Sequence, residues 1–408
     1  MKLLFICLDQ YPRYGACTAL LKNIFGRGGL VSRAEEIHVV CARSQKDDPE
    51  DEICDGVYVH RVLHLAGLSR KHLRSVCAGN RMTYYRLLIS KVISKVCSRW
   101  FPFLWNDCRA DKRLIKKVSL IVNNYSIDTI VPVAGFFTTV SAAIKLKKRN
   151  RAIKLIPYLV DPCSSNQTVS HLIQRIRRRF EKKFFTVSDR IIVTPIMEKE
   201  YAGRFPAIIM RKITALEFPN VTDLTAWNDK TERTDVRMMY SGSIYAGRNP
   251  RYLFELLSQV KSDLPIVVEF IGKNEAISVP QTVSVQFDGY MSVENAREIL
   301  KNADFLVILG NQMTNQVPSK LFEYISYGKP IVNICRNPDC PTLQYLSKYP
   351  FAISIVEGKE SIDKQAEALS SFITTTSGQR INWEQISSLF FECTPRYFVY
   401  EFLHILNV

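Results

Sequence analysis

The apolar positions of this chain fall into short continuous runs separated by stretches with helical spacing. Residues 2–8 form the first run and predict a strand, with the loop 9–16 leading into a helix from about Thr18. Residues 36–41 and 57–62 predict the next two strands, separated by an acidic, polar loop over 47–55 that is expected to be exposed. Residues 127–133, 152–160 and 189–194 predict three more, alternating with helical stretches, which is the signature of a doubly wound parallel sheet. After residues 217–221 the segment 222–234 is polar and without periodicity and predicts an interdomain linker. A second series then begins near Asp235, with strands over 236–241, 267–271, 305–309 and 331–334. The stretch 386–406, rich in Phe and Tyr, predicts a terminal helix.

The densest chemistry lies in residues 315–332, NQVPSKLFEYISYGKPIV. Gly310 ends the buried run before it, and Pro318, with its fixed φ and missing N–H, suits the first position of a helix. Leu321, Phe322 and Ile325 are spaced to face a sheet, whereas Lys320 and Glu323 share the opposite side. Gly328 and Pro330 stop the helix ahead of the next strand. In an open α/β sheet the crevice beyond the carboxyl ends of the strands binds ligands, and a helix N-terminus offers free N–H groups to a phosphate. Ser319 and Lys320 are therefore placed to meet an anion. Glu323, one turn deeper, is an acceptor-only carboxylate able to take both hydroxyls of a ribose, so the expected ligand is a nucleoside diphosphate. The macrodipole alone also favours a Glu in an early turn, and a Lys there is commonly a solvated surface charge, so these residues by themselves leave both readings open.

A second element in the same half points the same way. The strand 236–241 runs into Gly242, Ser243 and a glycine-containing turn up to Arg248. Such a turn permits close approach of a pyrophosphate, which Arg248 can pair bidentately. Lys320, or Lys273 after the strand 267–271, is the candidate second cation. In the first half, Asp161 precedes Pro162 at the end of a strand and is a candidate sugar contact, although a turn aspartate ahead of a proline is ordinary.

Length and charge refine this picture. A chain of 408 residues exceeds what one core usually serves and predicts two domains of about 200 residues each. An apolar fraction of 47% with 23% charged residues excludes wholesale disorder. Eleven cysteines scattered from Cys7 to Cys393 form no compact disulfide framework and no zinc spacing, which predicts reduced thiols in a cytoplasm and no metal. The apolar run at the start ends at Asp9 without a cleavage site, so it reads as a strand and not a signal peptide. No run of about 18 apolar residues predicts a membrane span.

The formal net charge is +16, and much of it lies between Arg61 and Leu120, where fourteen Lys/Arg face only Asp107 and Asp111. Within that region residues 70–105 predict a basic amphipathic helix, with Tyr85, Leu88, Ile89, Val92, Ile93, Val96 and Trp100 on one side and Lys91, Lys95 and Arg99 on the other. An ordinary core-facing helix with a solvated basic face has the same pattern. The regional charge favours an anionic membrane surface, with Lys91, Lys95 and Arg99 facing it. No helix-turn-helix, zinc-finger or RNP-type motif accompanies the charge, so nucleic acid is not the expected partner.

The string PSKLFEYISYGKPIV resembles the donor-site signature of retaining bacterial glycosyltransferases of family 4 (GT4). The resemblance implies the GT-B fold, two Rossmann-like doubly wound α/β domains facing a central cleft. Residues 1–221 would be the acceptor-side domain, residues 235–385 the donor domain, and the helix 386–408 would cross back onto the first. It implies that Glu323 binds the ribose of a nucleotide sugar, with Gly242, Ser243, Arg248, Pro318, Ser319 and Lys320 around the diphosphate. Arg248, Lys320 and Asn315 would then be the catalytic residues. In the family an acidic residue stands eight positions before the glutamate and contacts the sugar; here Asn315 stands there. A glycine-rich loop faces the acceptor in family members. Here Gly15 is followed by Ala16, and a plain strand-to-helix turn explains Gly15 equally well. An Asp-Pro like Asp161-Pro162 also occurs in such transferases.

The implied activity is transfer of a sugar, with retention, from a nucleoside diphosphate sugar, UDP-sugar favoured, to a hydroxyl acceptor. The acceptor would be a lipid-linked glycan of capsule, exopolysaccharide or O-antigen assembly at the inner face of the cytoplasmic membrane. No cofactor or metal is implied. A GT-B nucleotide-sugar epimerase and a non-catalytic nucleotide-sugar-binding scaffold are the other readings. Sugar, base, acceptor, linkage and oligomeric state are not legible.

Overall fold

A computed structural model of the chain describes residues 1–408 except 14, 27, 44–46, 64–80, 83, 90–91, 93–109, 134–135, 166–169, 228–233, 246, 274–276, 311–312 and 408. Lys91, Lys95 and Arg99 therefore lie outside the described residues. The chain divides into two compact units, Met1–Pro219 with Pro395–Val408, and Asn220–Thr394.

The first unit is built on a six-stranded sheet in the order β3-β4-β2-β1-β5-β6. Its strands are β1 (Lys2–Ile6), β2 (Glu36–Ala42), β3 (Asp51–Cys54), β4 (Val57–Val62), β5 (Thr129–Pro132) and β6 (Lys154–Leu155). All neighbours pair in parallel except the edge hairpin of β3 and β4. A smaller parallel sheet of β7 (Tyr158–Leu159), β8 (Ile191–Val193) and β9 (Ile213–Ala215) follows. The single strand expected over 152–160 is thus two. Pro157 stands between them with no N–H to give a ladder, and the chain passes there from one sheet to the next.

β1 sits at the centre, paired with β2 on one side and β5 on the other, so it is buried on both faces and reads as a continuous apolar run. Leu4, Ile6, Val40, Ile130, Leu155 and Phe185 belong to the core beneath it, each fully buried side chain of this size contributing about 1.5–3 kcal/mol. His60 has partners that the sequence does not reveal. It contacts Asp51 across the hairpin and His38 on the neighbouring strand at 3.0 Å, and His38 contacts Glu36 at 3.1 Å. Lys2 and Lys117 close the chain on Glu36 and Asp51. Burial lowers the pKa of both imidazoles, partly offset by the carboxylate beside each.

The helix His171–Val187 buries Glu181, Phe184 and Phe185 and turns its other side outward. Glu181 Oε1 accepts from Ser164 N and from the Tyr201 hydroxyl, both at 3.1 Å, and Arg177 donates to the Cys163 carbonyl at 3.1 Å. These bonds hold the loop that follows Asp161. Burial raises the Glu181 carboxyl above its ordinary range, more than the donors around it lower it. The folded state therefore holds the Glu181 proton more tightly than the unfolded chain does. Its cost is present above the folded pKa and disappears as pH falls below the unfolded value. Glu181→Gln is expected to raise the thermal midpoint at pH 7–8 by about 2–4 °C, on the order of 1 kcal/mol, and to leave it unchanged near pH 4. Thermal denaturation at the two pH values checks this.

The second unit is one parallel sheet in the order β12-β11-β10-β13-β14-β15. Its strands are β10 (Val236–Ser241), β11 (Ile266–Ile271), β12 (Ser284–Gly289), β13 (Phe305–Leu309), β14 (Ile331–Cys335) and β15 (Ala352–Val356). Both halves of the molecule are therefore doubly wound Rossmann-like units. The terminal stretch, expected as one helix, is divided. The helix Trp383–Leu389 belongs to the second unit and the helix Pro395–Asn407 to the first, with Thr394 extended and Pro395 opening the last helix. No helix among the described residues is long and apolar enough to cross a membrane.

Candidate functional site

In the second unit the strand order reverses at β10, which pairs with β11 on one side and β13 on the other. The crevice outside the carboxyl ends of β10 and β13 is thus the topological switch point, where open α/β sheets bind ligands. Both elements singled out in the sequence, the turn 242–249 and the stretch 313–320, leave from these two strands.

The first element is fastened to β11. Gly242 N donates to the Ile271 carbonyl and Ile244 N to the Lys273 carbonyl, each at 2.9 Å. Gly272 makes this possible: its φ is +139°, and a Cβ there would lie 2.4 Å from the Gly242 carbonyl oxygen. Ser243 and Lys273 are exposed. The chain then folds on itself, with Arg248 N donating to the Tyr245 carbonyl at 2.7 Å. This brings the half-buried Arg248 guanidinium 5.8 Å from the centre of the Tyr245 ring and 3.5 Å from the Tyr240 hydroxyl. The ring face and the hydroxyl both help to hold the cation in place.

The second element follows the fully buried β13. Asn315 and Val317 are buried, while Pro318 and Ser319 are half-buried. The helix runs Lys320–Ser326; Ser319 already has helical angles, and Leu321 N donates to the Pro318 carbonyl at 3.0 Å, so Pro318 opens the turn and regular helix begins two residues later. Leu321, Phe322, Tyr324 and Ile325 are buried. The Tyr324 hydroxyl accepts from Ser241 N at 2.7 Å, tying this helix to the end of β10. Gly328 closes it at φ +66°, where a Cβ would fall 2.2 Å from the Ile381 carbonyl oxygen.

Glu323 is the electrostatic centre of the site. Its Oε2 accepts from Lys320 Nζ at 2.7 Å and its Oε1 from Arg297 Nε at 3.2 Å. Burial pushes its carboxyl up, and the two cations more than offset this, leaving it below its ordinary range. The carboxylate is ionised and its orientation is fixed from two sides. Each oxygen retains acceptor capacity for a further hydroxyl. Lys320 is thus joined to Glu323 and not simply solvated. Arg297, on the helix Val293–Leu300, was not legible as a site residue: it lies 26 positions from Glu323 with β13 between them. Tyr324 was equally hidden, since a tyrosine on an apolar helix face reads as core.

In the first unit β1 occupies the equivalent switch point between β2 and β5. Asp9, just beyond β1, accepts from Cys17 N at 2.9 Å and Thr18 N at 3.3 Å and so caps the helix Ala16–Phe25. Gly15 has φ +122°, and a Cβ there would lie 2.1 Å from Asp9 Oδ2, so this glycine is required by the cap itself. The Cys17 thiol is pushed up by its hydrogen bond with Cys7, by burial, and by the charges of Asp9 and Asp161. Gly15 adjoins Cys17 through the Asp9 cap, and Asp161 acts on the Cys17 thiol through its charge. Cys7, Asp9 and Cys17 are also the group of metal-ligating side chains, among the described residues, whose ligand atoms lie within 4.8 Å of one another.

No protein-family model matches the chain, and no curated protein matches it in sequence. Solved structures do. The chain is similar to sucrose-phosphate synthase from Thermosynechococcus elongatus, with a TM-score of 0.67 at 12% identity over 100% of this chain and 98% of that one. It is similar to HepE from Anabaena, solved with UDP and glucose, with a TM-score of 0.64 at 9% identity over 100% and 99% of the two chains. It is also similar to the lipopolysaccharide outer core galactosyltransferase WaaB, with a TM-score of 0.56 at 12% identity over 100% and 99%. These likenesses establish the fold: two Rossmann-like domains, as in GT-B glycosyltransferases.

Proposed function

We propose that this protein is a retaining glycosyltransferase of the family 4 type, moving a sugar from a nucleoside diphosphate sugar, UDP-sugar favoured, to a hydroxyl of a lipid-linked glycan. The observation that carries the reading is the ionised Glu323 carboxylate, held between Lys320 and Arg297 on a helix that Tyr324 ties to the end of β10, the strand from which the Arg248 turn leaves. A fold shared with HepE, solved with UDP and with UDP-glucose, supports it.

In this reading Glu323 takes the two ribose hydroxyls, while Gly242, Ser243, Pro318 and Ser319 line the diphosphate. Arg248 and Lys320 provide the fixed positive potential on which the departing diphosphate develops charge. Two cations on Glu323 have a use here: Arg297 keeps the carboxylate in place when Lys320 turns to the diphosphate. Asn315 offers an amide to the sugar hydroxyls. The bond from the anomeric carbon to the diphosphate oxygen breaks, and the acceptor oxygen bonds to that carbon on the same face. The acceptor proton passes to the leaving phosphate oxygen, so no separate protein base is required. These side chains need no metal or cofactor for that step. Gly15 and Asp161 belong to the acceptor side.

The acceptor would be presented at an anionic membrane surface on the cytoplasmic side, during assembly of a capsule, exopolysaccharide or O-antigen. The described part of the basic amphipathic stretch supports this, since Tyr85 and Ile89, one helical turn apart, are exposed apolar side chains.

Thermal-shift titration of the wild type with UDP, GDP and ADP tests the donor site. UDP is expected to raise the midpoint, with about 2.7 kcal/mol of added stability at a hundredfold excess over Kd, and GDP and ADP to do so far less. No shift with any nucleotide overturns the reading. Binding of UDP with no consumption of UDP-sugar over long incubation with lipid-linked acceptors would favour a non-catalytic binding protein.

A further inference from the structure

We propose that the outward face of the helix His171–Val187 is a contact surface for an anionic lipid bilayer. This deepens the reading of a membrane-presented acceptor and rests on it.

The helix carries Arg175, Arg177, Arg178, Arg179, Lys182 and Lys183 against a single acid, Glu181, which is on the buried side. At 100° per residue, Leu172, Ile176, Arg179 and Lys183 fall within about 60° of arc, flanked by Arg175 and Lys182. That stripe is diametrically opposed to Glu181, Phe184 and Phe185, and the burial follows: Leu172 is 68% and Ile176 39% exposed, and Arg175, Arg178, Arg179, Lys182 and Lys183 are all exposed. None of these five cations meets a carboxylate among the described residues. The helix thus presents two large aliphatic side chains at its amino end and a field of unneutralised cations along its length.

Each half of that pattern narrows the partner. The cations require a negatively charged surface. Leucine and isoleucine gain nothing against a nucleic-acid backbone, and the stripe has no aromatic side chain on which a base could stack. In a bilayer the aliphatic pair enters the acyl boundary while the arginines and lysines lie at the headgroups. An ordinary solvated face would have no need of Leu172 and Ile176 in register with the charge.

Sedimentation of the full chain with vesicles of phosphatidylcholine, with and without phosphatidylglycerol at about 7 to 3, tests this. The wild type is expected to bind the anionic vesicles, and to lose binding as salt is raised. Arg179→Gln with Lys183→Gln should weaken partitioning about 25-fold, about fivefold for each cation near the surface. Leu172→Ser with Ile176→Ser should weaken it at least tenfold while leaving the salt dependence intact. All four positions are exposed, so the thermal midpoints of both variants and their UDP-induced shifts should match the wild type. A failure of vesicle binding is thereby separated from a failure of the donor-site reading. The proposal is overturned if both variants bind vesicles as the wild type does. It is equally overturned if only neutralisation of Lys91, Lys95 and Arg99 abolishes binding. Binding of a single-stranded RNA probe in place of vesicles, lost in the charge variant and retained in the aliphatic one, would make nucleic acid the occupant instead.

Discussion

Arg248→Ala is expected to lower the rate of donor consumption by about 10²–10³-fold, with a much smaller change in KM for the nucleotide sugar. The reason lies in how the guanidinium is held. The turn closed by Tyr245 and Arg248 and the ring and hydroxyl of Tyr245 and Tyr240 fix its position. A positive charge fixed at this turn is attracted more strongly to a diphosphate that becomes more negative as the glycosidic bond breaks, and a contact that strengthens only then acts on kcat. Arg248→Lys should recover part of the rate: a lysine supplies the charge but not two parallel N–H donors. The arginine is half-buried and outside the apolar core, so the thermal midpoint should move by no more than a few degrees. Initial rates of UDP release with UDP-sugar, against wild type, check this. A variant that retains the rate within about threefold would place the departing diphosphate elsewhere.

The fold was legible because the central parallel strands are short, apolar on both faces and bounded by turn chemistry, as in Phe305 to Leu309 ahead of Gly310, whereas the polar edge strand β12 carries no such signal. Local readings failed where long-range pairing decided the outcome. Pro157 splits a largely apolar run between two sheets, and His60 finds its partners on other strands. The site shows the same division. Glu323, Lys320 and Arg248 stand in local patterns that name their chemistry, whereas Arg297 and Tyr324 act through contacts that cross strands and leave no trace in spacing. Gly15 was legible as a special backbone position, but its cause, the Asp9 cap, required the turn to be seen in three dimensions.

Glu323→Ala is expected to weaken UDP binding about 100-fold, about 1.4 kcal/mol for each of two hydroxyl bonds to a carboxylate. The discriminating measurement is 2′-deoxy-UDP, which offers only one of those hydroxyls. Wild type should prefer UDP over it by about tenfold, and the alanine variant should lose that preference. Arg297→Gln should lie between. Lys320 still holds one oxygen at 2.7 Å, but the other loses the donor that fixes it. It also removes one of the two charges that offset burial at this carboxyl. The sign follows from the lowered pKa. The ionised form is favoured in the folded protein, and what it contributes persists at neutral pH and is lost as pH falls through the folded pKa. With Arg297 gone that pKa rises, so the acid limb of UDP binding should move to higher pH, while Glu323→Ala should show no such limb. Calorimetric titration of both ligands across pH 4 to 8 reads out these effects together. Equal losses of UDP and 2′-deoxy-UDP in both variants would mean that the carboxylate orders the helix Lys320–Ser326 without touching the ribose, and the donor would have to be read from the Arg248 side alone.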